Sequence, residues 1–232
     1  MILEAEHLAA AYGASQILFD IHFQLEAGET VCLLGRNGVG KTTTLRTVMG
    51  MLKPKSGRIR FEGSDIGGVP PHKVSRMGIA YVPQGRHIFP TLTTRENLII
   101  SARKGIDPER DWTIPKVYEL FPKLRERADF KGGRLSGGEQ QMLCIARGLM
   151  QNPKLLLMDE IFEGLAPIVI GEIAQVVQRL KTSGVSILVV EQSVKFAREM
   201  AGRCYILEKG QVVYSGDSRE IPQSVIFQYL GT

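Results

Sequence analysis

The sequence predicts an α/β fold: a parallel sheet covered on both faces, an antiparallel β portion joined to it, and an inserted helical lobe. Three observations predict it. Short, near-continuous apolar runs of strand length alternate with helical patterns, which suits a parallel sheet buried on both sides. The two ends of the chain instead carry segments that read as antiparallel strands with glycine-containing turns. From about residue 85 to residue 150 the pattern turns mostly helical.

Taken in order, residues 2–8 and 17–25 read as antiparallel strands, with a turn at Ala27-Gly28. Residues 30–34 form a buried strand, and a helix follows over residues 41–50. Residues 58–62 return to the antiparallel portion, and residues 79–82 are again a buried strand. The helical stretch closes on a helix over residues 138–150. Two further buried strands, residues 155–158 and 186–190, each lead to a helix, over residues 168–181 and 194–201. A last antiparallel strand covers residues 211–215 after a turn at Lys209-Gly210. No repeat and no low-complexity linker divides the chain. The expected organisation is one domain, with residues 1–84 and 151–232 as the core and residues 85–150 as the helical subdomain.

Composition narrows the function. The 232 residues suffice for one domain with a substantial core. Apolar residues at 44% and charged residues at 23% are ordinary for a soluble globular chain. No apolar run approaches the roughly 18 residues that cross a bilayer. The start, Met1-Ile-Leu-Glu-Ala-Glu, lacks the basic and apolar regions of a signal peptide. The expectation is a cytosolic chain that works at a membrane only by binding something embedded there. The net charge of +5 suits phosphates or an anionic surface. No long Lys/Arg run and few aromatics argue against nucleic acid. Cys32, Cys144 and Cys204 form no CxxC pair and sit in apolar company, as small core residues do. His7, His22, His72 and His87 lack metal-ligand spacing, and Trp112, in the charged stretch 107–116, is expected to be partly exposed.

Three motifs carry the chemistry. Gly35-Arg36-Asn37-Gly38-Val39-Gly40-Lys41-Thr42 fits G-x-x-x-x-G-K-[ST] between an apolar strand and a helix, the context this phosphate cradle requires. Its glycines let backbone N–H groups turn toward phosphate oxygens, and the helix N-terminus adds its positive end. Lys41 is expected to bridge the β- and γ-phosphates of ATP, Thr42 to hold Mg²⁺, and Thr43 to add a hydroxyl. Leu155-Leu-Leu-Met-Asp159-Glu160 is a buried strand ending in two acids. Asp159 is expected to hold Mg²⁺, and Glu160 to orient or deprotonate the attacking water. Leu135-Ser136-Gly137-Gly138-Glu139 opens another helix and is a second anion-binding device. Two such devices for one ATP make sense if two copies sandwich the nucleotide.

With these motifs in place, the sequence resembles the ABC ATPase family over essentially its whole length; Leu135-Ser-Gly-Gly-Glu139 matches the family signature. The resemblance implies a P-loop NTPase (RecA-like) core with an antiparallel β subdomain and an inserted α-helical subdomain. It implies that Tyr12 stacks on adenine. It also implies that Gln84 contacts Mg²⁺ and couples to transmembrane permease subunits. Gly85-Arg-His-Ile-Phe-Pro, Arg95-Glu-Asn-Leu98, Glu163-Gly-Leu-Ala-Pro167 and Val189-Val-Glu-Gln192 are similar to the branched-chain amino acid importer ATPases (LivF-type) and their urea-importer relatives. That implies a second ABC ATPase in a homo- or heterodimer, an extracytoplasmic solute-binding protein, and a peripheral place on the cytoplasmic face of the plasma membrane.

Two positions depart from the wider family. Gln192 stands where a histidine is usual, so it can position water or phosphate but cannot carry a proton charge. The acid–base role then falls to Glu160. Ile161 stands where proline usually follows the catalytic glutamate, and slower hydrolysis is expected from it.

Overall fold

A computed structural model describes residues 1–105 and 111–231. Residues 107–110 of the charged stretch around Trp112 lie outside the described residues. Three strands open the chain: β1 (Leu3–Tyr12), β2 (Ser15–Leu25) and β3 (Thr30–Leu34). Helix α1 (Lys41–Val48) follows, then β4 (Ser56–Phe61), the short β5 (Ser64–Asp65), α2 (Pro71–Arg76) and β6 (Ile79–Val82). Helices α3 (Thr94–Ser101), α4 (Ile114–Leu120), α5 (Pro122–Glu126) and α6 (Gly137–Leu149) come next. The core resumes with β7 (Leu155–Asp159), α7 (Pro167–Thr182), β8 (Ser186–Glu191) and α8 (Val194–Met200). It ends with β9 (Arg203–Glu208), β10 (Gln211–Asp217) and α9 (Gln223–Tyr229).

The described strands make one sheet in the order β5-β4-β1-β2-β10-β9-β3-β8-β7-β6. Strands β9, β3, β8, β7 and β6 run parallel. The β5-β4-β1-β2 end is antiparallel, and so is the β9–β10 hairpin. A single parallel pair, Gln211↔Asp20, joins the two halves.

The alternation of strand side chains explains the continuous apolar runs. Val31 and Leu33 of β3 point into one buried cluster with β1, β2, β4 and α1, whereas Cys32 and Leu34 point into a second with α6, α7 and α8. Strand β7 divides likewise: Leu155 and Leu157 on one side, Leu156 and Met158 on the other. A strand with a core on each face has no polar side, so its sequence shows no alternation. All three cysteines are buried and free, and burial pushes each thiol up.

The α/β class and the eight strands expected from the sequence are present. Residues 203–208, read as no particular element, form β9, which is parallel to β3 at the centre of the sheet. Helices α2 and α9 and strand β5 were also not expected; each is seven residues or shorter. Trp112 is half-buried and packs against the larger cluster.

Candidate functional site

Leu34 of β3, Asp159 of β7 and Val190-Glu191 of β8 lie level at the carboxyl edge of the parallel sheet. In open α/β sheets ligands bind at this edge. The loop from Gly35 to Gly40 leaves β3 here and enters α1. A Cβ on Gly35 would stand 2.8 Å from the Leu207 carbonyl oxygen, so the loop can leave β3 this close to β9 only as glycine. Gly40 caps α1 with φ +110, and no side chain caps the first turn. The α1 N-terminus therefore keeps its amide donors for a ligand.

Lys41 is 3% exposed. Its ammonium donates to the Gly35 carbonyl at 2.9 Å and the Arg36 carbonyl at 3.0 Å, and pairs with Glu160 Oε1 at 3.0 Å. Thr42 Oγ1 donates to Asp159 Oδ1 at 2.9 Å, and Tyr81 O–H donates to Asp159 Oδ2 at 2.7 Å. Burial raises the Asp159 carboxyl above its ordinary value, against the pull of the Tyr81 and Thr42 hydrogen bonds. Burial, helped by the Asp159 charge, pushes the Tyr81 phenol well up, so Tyr81 stays a donor.

Glu160 sits at φ +46, a left-handed conformation that costs a non-glycine residue about 1 kcal/mol or more. Three side chains hold it: Lys41, Gln84 Nε2 at 3.1 Å and Gln192 Nε2 at 3.2 Å. Gln84 Nε2 also donates to Glu163 Oε2 at 2.6 Å. The next residue, Ile161, is 1% exposed, and the Phe162 ring lies 4.6 Å from that of Phe196. Buried apolar side chains thus anchor the turn in place of a proline ring.

Tyr12, Asn37, Gly38, Gly40, Lys41, Thr42, Thr43, Gln84 and Glu160 line one cavity of about 410 Å³. Tyr12 is exposed at its rim, where it accepts a hydrogen bond from Arg46 at 3.3 Å. Val39 is buried, and its carbonyl accepts from Gly210 N–H at 3.0 Å, which ties the loop to the β9–β10 hairpin. A hydroxyl, a carboxylate and an amide oxygen at Thr42, Asp159 and Gln84 are hard oxygen donors that suit Mg²⁺. Mg²⁺ held through one carboxylate and substrate phosphates needs no cluster of ligating acids, and the described residues contain none.

Ser136, Gly137, Gly138 and Glu139 do not line this cavity. They form the start of α6, closed by a capping box. Ser136 Oγ accepts from the Glu139 amide at 3.3 Å, and Glu139 Oε2 accepts from the Ser136 amide at 2.7 Å. Burial opposes the Glu139 charge, but the Ser136 donors and Arg127 outweigh it and hold the carboxyl below its ordinary range.

Sequence reasoning passed over Tyr81, Glu163 and Glu191 as site residues. The signal for Tyr81 was a phenol in an otherwise apolar strand whose neighbour ends in Asp159.

A cradle at the end of β3, two acids at the end of β7 and a capped signature helix are the parts of an ABC-type ATPase. The sequence model described as ABC transporter matches residues 18–163, and the chain belongs to that family. It is an ATP-binding and ATP-hydrolysing member. It is 42% identical over 212 residues to the high-affinity branched-chain amino acid transport ATP-binding protein BraG of Pseudomonas aeruginosa, covering 91% of each chain. It is 35% identical to the lipopolysaccharide export system ATP-binding protein LptB of Haemophilus influenzae, covering 99% of this chain and 97% of that one. A solved ATP-binding subunit of an ABC transporter superposes with a TM-score of 0.84 at 27% identity, each chain covered to 100%. No helix among the described residues is long and apolar enough to cross a membrane.

Proposed function

We propose that this chain energises an ABC importer, with branched-chain amino acids as cargo. The observation that carries the reading is the 42% identity to BraG over nearly the whole chain. The segments around Arg86, Glu163 and Gln192 that resemble branched-chain importer ATPases support it, as they do for urea and amide importers. The LptB relatives favour a second reading, lipopolysaccharide export.

In this reading the cradle from Gly35 to Thr43 holds the ATP phosphates, with Lys41 on the β- and γ-phosphates and Tyr12 against adenine. Thr42, Asp159 and Gln84 hold Mg²⁺, which offsets charge on the phosphate oxygens when bound. Glu160 takes a proton from water as that water attacks the γ-phosphorus, and the bond from the γ-phosphorus to the bridging oxygen breaks. Gln192 orients the water. The slower hydrolysis expected from Ile161 requires a relaxed turn; burial of Ile161 and Phe162 instead supports a turn that keeps Glu160 in place. Ser136, Gly137, Gly138 and Glu139 serve the ATP held by a second ABC ATPase, a copy of this chain or a related one. ATP closes the pair because its contacts to both chains exist only in the closed form. A cavity of about 670 Å³ beside Gln84, walled by Tyr81, His87, Arg147 and Gln151, runs on to Thr42 and Asp159 of the nucleotide site; the permease subunits are received in the groove between Gln84 and the helical subdomain. The chain then lies peripherally on the cytoplasmic face of the plasma membrane, and a solute-binding protein meets the permeases on the other side. Residues 85–150 serve as the helical signature subdomain, and residues 1–84 and 151–232 as the nucleotide-binding core.

The test has two parts. Glu160→Gln is expected to cut ATP turnover by about 10²-fold or more; undiminished turnover sinks the assignment of Glu160. A strain lacking the chain is expected to lose uptake of labelled leucine. Retained leucine uptake with lost urea uptake moves the cargo to the urea class. Retention of both, with an outer-membrane defect, selects export.

A further inference from the structure

Arg86 lies just beyond Gln84, in the Gly85-Arg-His-Ile-Phe-Pro segment, and has no role assigned above, yet it touches two of the site's segments. Its Nη2 donates to the Gly164 carbonyl at 3.1 Å and the Glu163 carbonyl at 3.4 Å, in the loop that follows Glu160. Its other terminal nitrogen occupies the space over Gly137 at the start of α6. A Cβ there would stand 2.3 Å from Nη1 and 3.1 Å from Cζ. The backbone is shaped to this end: Gly85 has φ +93 and Arg86 itself φ +54, a strained value for a side chain of this size. The segment is tied to α6 a second time, where Arg147 Nη1 donates to the His87 carbonyl at 2.5 Å.

Charge alone does not explain the placement. A guanidinium over a helix N-terminus faces the positive end of the helix dipole, which disfavours it. Among the described residues no carboxylate is paired with Arg86; its partners at the loop are two carbonyl oxygens. What the placement achieves is mechanical. The planar fork spans from the Glu163-Gly164 turn to Gly137, and its own backbone is continuous with Gln84. Gln84 in turn holds Glu160 and Glu163.

We propose that Arg86 is a positioning residue that fixes the start of α6 relative to Glu160 of the same chain. It thereby makes closure of the ATPase pair dependent on where Gln84 sits. The proposal rests on the reading that the α6 start contacts nucleotide held by a second copy. It differs from that reading because it concerns how one chain keeps its own two half-sites in register. Lysine cannot substitute: a point ammonium lacks the fork needed to reach both carbonyls and the Gly137 space.

The test uses the full-length chain with Arg86→Ala, Arg86→Lys and Arg86→Gln. Binding of a fluorescent ATP analogue to the single chain is expected to stay within about twofold, and the melting temperature within a few degrees. Turnover at saturating ATP is expected to fall about tenfold or more in all three, lysine included. In a Glu160→Gln background, ATP-dependent dimer formation followed by light scattering is expected to need several-fold more ATP once Arg86 is replaced. Normal dimer formation with the Arg86 replacements overturns the proposal, whatever happens to turnover. So does full rescue by lysine. A Glu160→Gln chain that never pairs with ATP, alone or with its permeases, removes the sandwich reading and this inference with it. A sound Glu160→Gln dimer that ignores Arg86 removes the inference alone.

Discussion

Glu191 ends β8 beside Gln192 and is 5% exposed. Its Oε1 has no hydrogen-bond partner among the described residues. Burial pushes its carboxyl from the ordinary 4.5 up to about 8; the Gln192 amide pulls it back, and the Glu160 charge adds to the rise. The folded chain therefore favours the protonated acid, while the unfolded chain releases the proton near its ordinary value. The stability this supplies is full below about pH 4.5 and is lost as pH climbs toward 8. Within that window each pH unit removes about 1.4 kcal/mol, and the whole window on the order of 5 kcal/mol. Glu191→Gln keeps the shape and removes the titration. Any constant effect of the amide on packing cancels in the slope. Urea unfolding of both chains from pH 5.5 to pH 9 measures the difference. The stability of the parent is expected to fall relative to Glu191→Gln by about 1.4 kcal/mol per pH unit up to about 8, then level off. Parallel curves would refute the claim that Glu191 is buried as a neutral acid.

Two further outcomes are expected. Tyr81→Phe removes the hydrogen bond that orients Asp159. The Mg²⁺ concentration for half-maximal ATP turnover should rise about tenfold, with a smaller change at saturating Mg²⁺; an unchanged Mg²⁺ titration would show that Thr42 suffices. Gly210→Ala places a Cβ 2.0 Å from the Ile17 carbonyl at a residue with φ +73, under the hairpin that supports Val39. A loss of roughly 3 kcal/mol in unfolding free energy is expected, read by thermal melting.

Much of the fold was legible because the sheet is buried on both faces. A strand such as residues 155–159 has to be apolar throughout, and that run is visible without any neighbour. Strand β9 was not, because Arg203 and Glu208 bracket it with charges. Its place depends on contact with β3, more than 160 residues earlier in the chain. The cradle was legible because phosphate binding demands a fixed order of residues in one loop. Tyr81 and Arg86 were not, since each acts on a residue brought near by the fold alone. Tyr81 meets Asp159 only because β6 lies beside β7, and Arg86 meets Gly137 only because the α6 start folds back over residues 84–88. The capping of Ser136 by Glu139 was local and in principle readable, as Ser-x-x-Glu before a helix.

Lys41 has three N–H bonds and three partners: the carbonyls of Gly35 and Arg36, and Glu160. A phosphate oxygen can reach the ammonium only by taking one of those places. The two carbonyls belong to the loop that wraps the phosphate itself, so Glu160 is the partner that yields. On the roles proposed above, occupation of the cradle and release of the proton acceptor become one event. Glu160 loses its cationic partner only when there is a phosphoryl group within reach, while Gln84 and Gln192 still hold its other carboxylate oxygen in place.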